Sequence, residues 1–220
     1  MEYKSSCGTI LAGSALPGQV VKEEKKMRYF ELVDHINGGM IVRVEGREQY
    51  MYVYGESMWQ RTGILLLYYS EDTVYYEKFK EITEEQAYEI IEQTNVQYRG
   101  LEKICIDKLK KINGLIPDVK TKDLEIKIIF LLYCISKIEK INVYELKNYG
   151  FTSRMLRTLQ LLIENSNMES DLQMENVLYN TLAMLVKSEY ILQNGPKSDK
   201  EKRIIEKKIR YDNLLGKLSE

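Results

Sequence analysis

The run LEIKIIFLLYCISKI, residues 124–138, constrains the fold more than any other feature of this 220-residue chain. It is apolar on nearly every side of a helix rather than along one stripe, and a helix of that kind has to be buried all round. Its most apolar part, Ile126–Ile135, contains Lys127, and its length is half of the ~20 residues that a membrane-spanning helix needs. We therefore expect it to be the central helix of a bundle.

The rest of the chain beyond Tyr98 also reads as helical. LEKICIDKLKKI carries an apolar stripe ended by Asn113-Gly114, and VYELKNYG is a short helix stopped by Gly150. A capped amphipathic helix (TSRMLRTLQLLIEN), a longer one over Leu172–Leu192 and a final charged helix follow.

The first half shows a different pattern. RYFELVD is rich in aromatic and branched residues, and MIVRVEG and QYMYVY alternate along the chain; with the turn signals between them, these segments predict a three-stranded antiparallel meander. Trp59–Tyr69 fits either a short helix or a further strand. Thr83-Glu84-Glu85-Gln86 is a capping box that starts a helix. The predicted fold class is α+β: a small antiparallel meander plus a helix, followed by an all-α domain.

This change of pattern near residue 100 suggests four parts. They are a loose lead-in at 1–26, a small α+β module at 27–95, an all-α domain at 98–195, and a charged helix at 196–220. Met27 offers an alternative translation start.

Composition excludes several classes of site. The 32 basic and 33 acidic residues nearly cancel, which argues against a general nucleic-acid coat. The single histidine, His35, excludes any site that needs two imidazoles, and its neighbour Asp34 does not make a catalytic set without a nucleophile. Three scattered cysteines, with no signal peptide, indicate a cytoplasmic protein.

The segment LEIKIIFLLYCISKIEKINVYELKNYGF resembles the centre of the HD-superfamily phosphohydrolases of the stringent-response (RelA/SpoT-like) type. Members there read as a buried helix ending in Leu-His-Asp-Val-Ile-Glu-Asp, then a turn, a short helix and Gly-Phe. VKSEYILQN resembles the family's Val-Lys-x-x-Asp-x-x-x-Asn segment. The resemblance covers roughly residues 100–195 and implies an HD-like bundle.

The departures from that family concern its chemistry. The resemblance places the metal-binding His-Asp doublet on Tyr133-Cys134, the acidic pair on Lys137-Ile138, and the distal metal-binding Asp on Tyr190. Among the polar residues of the family's motifs, only Lys187 and Asn194 are the same residue types. Phenol and aliphatic groups do not replace carboxylate and imidazole ligands, so the resemblance implies a pseudoenzyme with no metal and no other cofactor.

The function we expect is therefore non-catalytic: an interaction or regulatory protein. Its vestigial pocket would be lined by five side chains, two of them lysines that suit a phosphate-bearing ligand such as a nucleotide: Tyr133, Lys137, Lys187, Tyr190 and Asn194. A protein partner is expected and a membrane is not. Ile204, Tyr211 and Leu218, seven apart in the last helix, leave self-association open.

Two alternatives stay open. INVYELKNYGFTSRMLRTLQLLI also fits a helix-turn-helix regulator, in which Arg154 and Arg157 meet nucleic acid, although the near-zero net charge argues against it. The other is an enzyme with an unrelated site in the first half, for which no set of catalytic roles can be assembled.

The strand tyrosines Tyr50, Tyr52 and Tyr54 share a face, and we expect that face to pack against the rest of the protein rather than to bind nucleic-acid bases.

Overall fold

The computed structural model describes residues 27–166 and 170–219, so the predicted lead-in at 1–26 lies outside the described residues. Within them the fold is α+β, as predicted: an antiparallel sheet followed by a helical region. The strands are β1 (Met27–Leu32), β2 (Ile41–Glu45), β3 (Glu48–Val53), β4 (Met58–Thr62) and β5 (Phe79–Ile82). The helices are α1 (Leu65–Tyr69), α2 (Glu84–Lys111), α3 (Leu124–Ser136), α4 (Val143–Leu146), α5 (Ser153–Glu164), α6 (Asp171–Tyr179), α7 (Thr181–Asn194) and α8 (Asp199–Ser219).

The sheet has the order β4-β3-β2-β1-β5, and every neighbouring pair is antiparallel. The predicted meander is its central part, β1 to β3. The ambiguous segment Trp59–Tyr69 supplies both of the predicted options, since β4 ends at Thr62 and α1 begins at Leu65. β5 adds the outer strand beside β1.

Apolar side chains lie on both faces of this sheet. Tyr29 and Ile41 join a core shared with the helices, whereas the alternate residues Phe30 and Val42 join a smaller core closed by Leu65 of α1. This alternation is the period-two rule for a strand with two covered faces.

Helix α2 connects the sheet to the helical region without a break. The Thr83 hydroxyl and the Gln86 side chain form the predicted capping box. The predicted short helix after it and the predicted LEKICIDKLKKI helix are one helix, which runs through residues 95–98, where the predicted domain boundary lies. Gly100 is helical there and exposed. The division into domains itself stays a prediction.

The central helix of the bundle is α3, as predicted. Six consecutive residues, Ile128 to Tyr133, are 3% exposed or less, so side chains on all sides of the helix are buried. Asp123 caps its N-terminus by accepting hydrogen bonds from the amides of Glu125 (2.8 Å) and Ile126 (3.2 Å). Helices α2, α5 and α7 surround it.

One predicted helix is two. Leu172–Leu192 is divided between α6 and α7 because Asn180 has an extended backbone and its side chain caps α7 at the Ala183 amide (2.9 Å). None of the helices in the described part of the chain combines the length and apolar character that spanning a bilayer requires.

Candidate functional site

The side chains predicted to line a vestigial pocket converge in the helical core. The Tyr133 ring of α3 packs edge-on against the Tyr190 ring of α7, with centroids 5.2 Å apart. The Lys187 ammonium reaches the same point, 3.0 Å from the Tyr133 hydroxyl oxygen and 3.1 Å from the Ser166 carbonyl oxygen, and donates to both. We call Tyr133, Lys187 and Tyr190 the aromatic–lysine cluster.

This cluster is filled by its own side chains. Lys187 is 2% exposed and Tyr133 is fully buried. The ammonium lies 5.3 Å from the Tyr133 ring centroid and 5.5 Å from that of Tyr190, so two aromatic faces and two oxygen acceptors surround it. Burial lowers the Lys187 pKa to about 8, and the neighbouring Lys137 acts in the same direction.

The remaining two predicted residues lie at the rim. Lys137 is exposed, and its ammonium lies 4.7 Å from the Tyr133 ring centroid. Asn194 is also exposed and donates to the Tyr190 carbonyl oxygen at 2.8 Å. Lys137, Tyr190 and Asn194 are therefore accessible to solvent, while Tyr133 and Lys187 lie beneath them.

Metal-ligating groups do not gather in the described residues: no cluster of three or more His, Cys, Asp or Glu side chains there is able to hold a metal ion. Cys134, next to Tyr133, is partly buried, and burial raises the pKa of its thiol to about 11. A thiol with so high a pKa is a poor source of the thiolate that metals and electrophiles need.

The two arginines of the helix-turn-helix interpretation contact the connection between β1 and β2, and Arg154 also reaches α3. Gly150 does form a left-handed turn before α5. However, Arg154 lies 3.5 Å from the Glu125 carboxylate and contacts the Met40 sulfur, and Arg157 lies 3.5 Å from the His35 ring. These positions give no support to a nucleic-acid contact at the start of α5.

The self-association stripe of the last helix is also used internally. Ile204 is fully buried in the main core, and Tyr211 is partly buried beside it. The side chain of Leu218, the third member of the stripe, lies outside the described part of the molecule. Of the three strand tyrosines, Tyr52 and Tyr54 pack on each other with ring centroids 5.4 Å apart, whereas Tyr50 lies under the Arg43 guanidinium.

A large cavity lies elsewhere, between the sheet and the helices. It is a cleft of about 820 Å³, bounded on one side by the outer strand β4 and on the other by the approach to α3, by α7 and by α8. Its walls carry aromatic and charged side chains: Tyr50, Trp59, Asp123, Glu189, Lys208 and Tyr211. We call this cavity the edge cleft.

Asp123 is the unusual ionisable group of the edge cleft. Burial raises the pKa of its carboxyl to about 7, and the nearby Glu125 carboxylate adds to the rise, while the two capping amides of α3 oppose it. A group that titrates near neutral pH beside a cleft is a frequent feature of binding sites.

Sequence reasoning missed the edge cleft. No motif joins the residues of the cleft, which lie far apart in the chain: Trp59 in β4, Asp123 at the cap of α3, Glu189 in α7 and Tyr211 in α8. The one sequence feature near the edge cleft that stood out was Trp59, the only tryptophan, in the segment that fits either a helix or a strand.

Comparison with protein-family models found no matching family, and comparisons with curated proteins and with solved structures also found no match. The HD-type interpretation therefore rests on the residues quoted for it and stays a prediction.

Proposed function

We propose that this protein is a non-catalytic interaction or regulatory protein whose helical region is a degenerate HD-type scaffold. The observation that supports it is the aromatic–lysine cluster. Tyr133 and Tyr190 occupy positions that the resemblance assigns to metal ligands, and the Lys187 ammonium lies between them. A buried ammonium repels a divalent cation and provides a fixed positive charge at that point.

The proposal assigns the helices a structural role and the binding role to accessible surfaces. The rim residues Lys137 and Asn194 are the part of the predicted pocket that a phosphate-bearing ligand meets, and the edge cleft is a separate cavity of about 820 Å³. A cytoplasmic location, with a reducing environment for Cys105 and Cys134, belongs to the same proposal.

The test measures metal content and turnover on the full chain. Elemental analysis after incubation with manganese, iron or zinc and gel filtration should find no stoichiometric metal. Hydrolysis of bis(p-nitrophenyl) phosphate and of guanosine polyphosphates should stay at the buffer rate. One bound metal per chain, or turnover that a Tyr133→Phe variant abolishes, would refute the proposal.

A second arm tests the rim. Guanosine polyphosphates should raise the melting temperature of the wild type, and a Lys137→Met variant should reduce that shift. The exposed Lys140→Met variant is the matched control. If millimolar nucleotide leaves the melting temperature unchanged, the protein does not bind a phosphate-bearing ligand at the rim, and a protein partner is the remaining regulator.

A further inference from the structure

Strand β4 is an open edge of the sheet. Its five residues pair with β3 on one side only, from Val53↔Met58 to Gln49↔Thr62. No backbone hydrogen bond beyond those strand pairs involves Met58–Thr62 within residues 27–166 and 170–219. In an antiparallel edge strand, alternate residues direct their N–H and C=O groups outward, where they are free to pair with another chain.

The edge cleft lies along this open edge. Consecutive β4 residues, Met58 to Arg61, line it together with Leu185 and Glu189 of α7 and Tyr211 of α8. A strand that adds to β4 lies ~4.8 Å from it. The volume of about 820 Å³ is in the upper part of the ~300–1,000 Å³ typical of ligand sites.

The opposite edge of the sheet offers a contrast. The sequence of β5 is FKEI, with two charged residues in its centre, and charges of that kind discourage strand addition. In β4 the only charged residue is Arg61, which turns back across the sheet to the Glu48 carboxylate at 2.7 Å. The edge that faces the cleft is the less protected one.

Charge in the edge cleft is not balanced by its own ion pairs. Arg61 is paired with Glu48, and Lys208 is paired with Asp212 at 2.6 Å. Glu56 and Glu189 form no ion pair within the described residues, and neither does the lining residue Lys120. With Asp123 partly ionised at neutral pH, unpaired negative charge exceeds unpaired positive charge.

We propose that the edge cleft binds an extended basic segment of a partner protein, which adds to β4 as a sixth strand. This inference rests on the proposed interaction role and names its partner class. Main-chain hydrogen bonds to β4 supply affinity, and lysine or arginine side chains of the segment meet Glu56 and Glu189. The rings of Trp59 and Tyr211 pack against the aliphatic parts of those side chains.

A second copy of the same chain is the less suitable occupant. Leu185 and Glu189 of α7 and Tyr211 of α8 line the cleft together with β4, so a second five-stranded sheet that pairs with β4 has to displace them.

The first experiment selects ligands from a phage-displayed library of random seven-residue peptides, with the full chain as target. Enriched sequences should combine strand-forming residues with lysine or arginine. No enrichment, or enrichment of acidic sequences, would overturn the proposal. A stable dimer that blocks selection would overturn it too, and would assign the edge to a second copy.

The second experiment titrates the enriched peptide. Trp59 is the only tryptophan of the chain, so its fluorescence reports occupancy directly. Two variants of the peptide carry N-methyl groups on alternate residues, one set on the odd amides and one on the even amides. Because only one set faces β4, one peptide should lose at least tenfold in affinity while the other keeps it. The proposal fails if the two bind alike.

The third experiment reverses charge in the chain. Glu189→Lys should weaken the basic peptide at least tenfold, whereas Glu175→Lys, an exposed residue of α6 outside the cleft lining, should leave affinity unchanged. If Glu189→Lys unfolds the protein, the N-methylated pair on the wild type still decides. Peptide binding is independent of the metal and turnover assays, so failure of either proposal is recognised separately.

Discussion

Lys187 lies in an environment that disfavours its charged form. Its side chain lies in the core, and no carboxylate forms an ion pair with it within the described residues. Removing an ammonium from water costs several kcal/mol, and two aromatic faces with two oxygen acceptors offset only part of that cost. The part of the desolvation cost that these contacts do not offset lowers the Lys187 pKa.

The free energy of unfolding should therefore depend on the protonation of Lys187. The pKa of Lys187 in the folded state, about 8, lies below its ordinary value of 10.5. Below pH 8 the buried side chain is charged, and the free energy of unfolding is reduced by the full cost of burying that charge. As the pH rises from 8 to 10.5, the unfolded chain keeps a proton that the native state has released, and the penalty is relieved. The wild type should gain about 2 to 3 kcal/mol relative to Lys187→Met between pH 7 and pH 10.

Urea unfolding of both proteins at the two pH values measures this difference. The charged groups facing Lys187 are Lys137 from the C-terminal end of α3 and Glu201 from α8, and both proteins share them. Lys140→Met, which removes an exposed lysine, should track the wild type at both pH values. A constant difference between the wild type and Lys187→Met would contradict this account of the buried ammonium.

At the scale of elements, the contact between the β3–β4 turn and the start of α3 fixes the sheet against the helices. The Leu124 amide donates to the Tyr54 carbonyl oxygen at 2.9 Å, and the Gly55 amide donates to the Asn95 side chain at 3.1 Å. Gly55 has φ of 90°, and a Cβ there would lie 2.3 Å from the Lys122 carbonyl oxygen. Only glycine fits this approach.

Gly55→Ala should consequently destabilise the protein by about 3 kcal/mol, since it combines a left-handed backbone with a clash against main-chain atoms. Gly39→Ala is the matched control. Gly39 has φ of 85°, but nothing lies within 4 Å of the position that an added methyl group would take, so its cost should be about 1 kcal/mol, from conformation alone. Chemical denaturation of both variants measures the two costs, and equal losses would show that the turn does not press on α3.

Local patterns predicted those elements whose own residues determine them. The three strands of the meander, the capped start of α2 and the predominantly apolar α3 required only neighbouring residues. β5 was not predicted because its four residues carry two charges and no alternation. The continuity of α2 through Gly100 was also not predicted, because composition changes at that point although the helix does not end there.

Long-range features were beyond the same reasoning. The proximity of Tyr133, Lys187 and Tyr190 followed from the family resemblance, but the filling of that space by the Lys187 side chain did not. The edge cleft depends on how β4, α7 and α8 pack, and that arrangement leaves no trace in local sequence.

At the scale of the whole molecule, sheet and helices share one hydrophobic core. Tyr29 and Ile41 from the sheet belong to the same cluster as the buried residues of α3 and α7. The Tyr54 ring of the sheet side packs against the Tyr98 ring of α2, with centroids 5.1 Å apart. A boundary at residues 95–98 would cut α2 in its middle and separate these partners.

This shared core predicts a single cooperative unfolding transition. Trp59 fluorescence reports the sheet, and far-ultraviolet circular dichroism is dominated by the helices, so the two probes follow the two parts separately. Their urea midpoints should coincide, and Gly55→Ala should move both by the same amount because it disrupts the contact between the parts. A lower urea midpoint for Trp59 fluorescence than for circular dichroism would show instead that the two predicted domains unfold separately. The first half of α2 would then unfold with the sheet, while the helices around α3 stay folded.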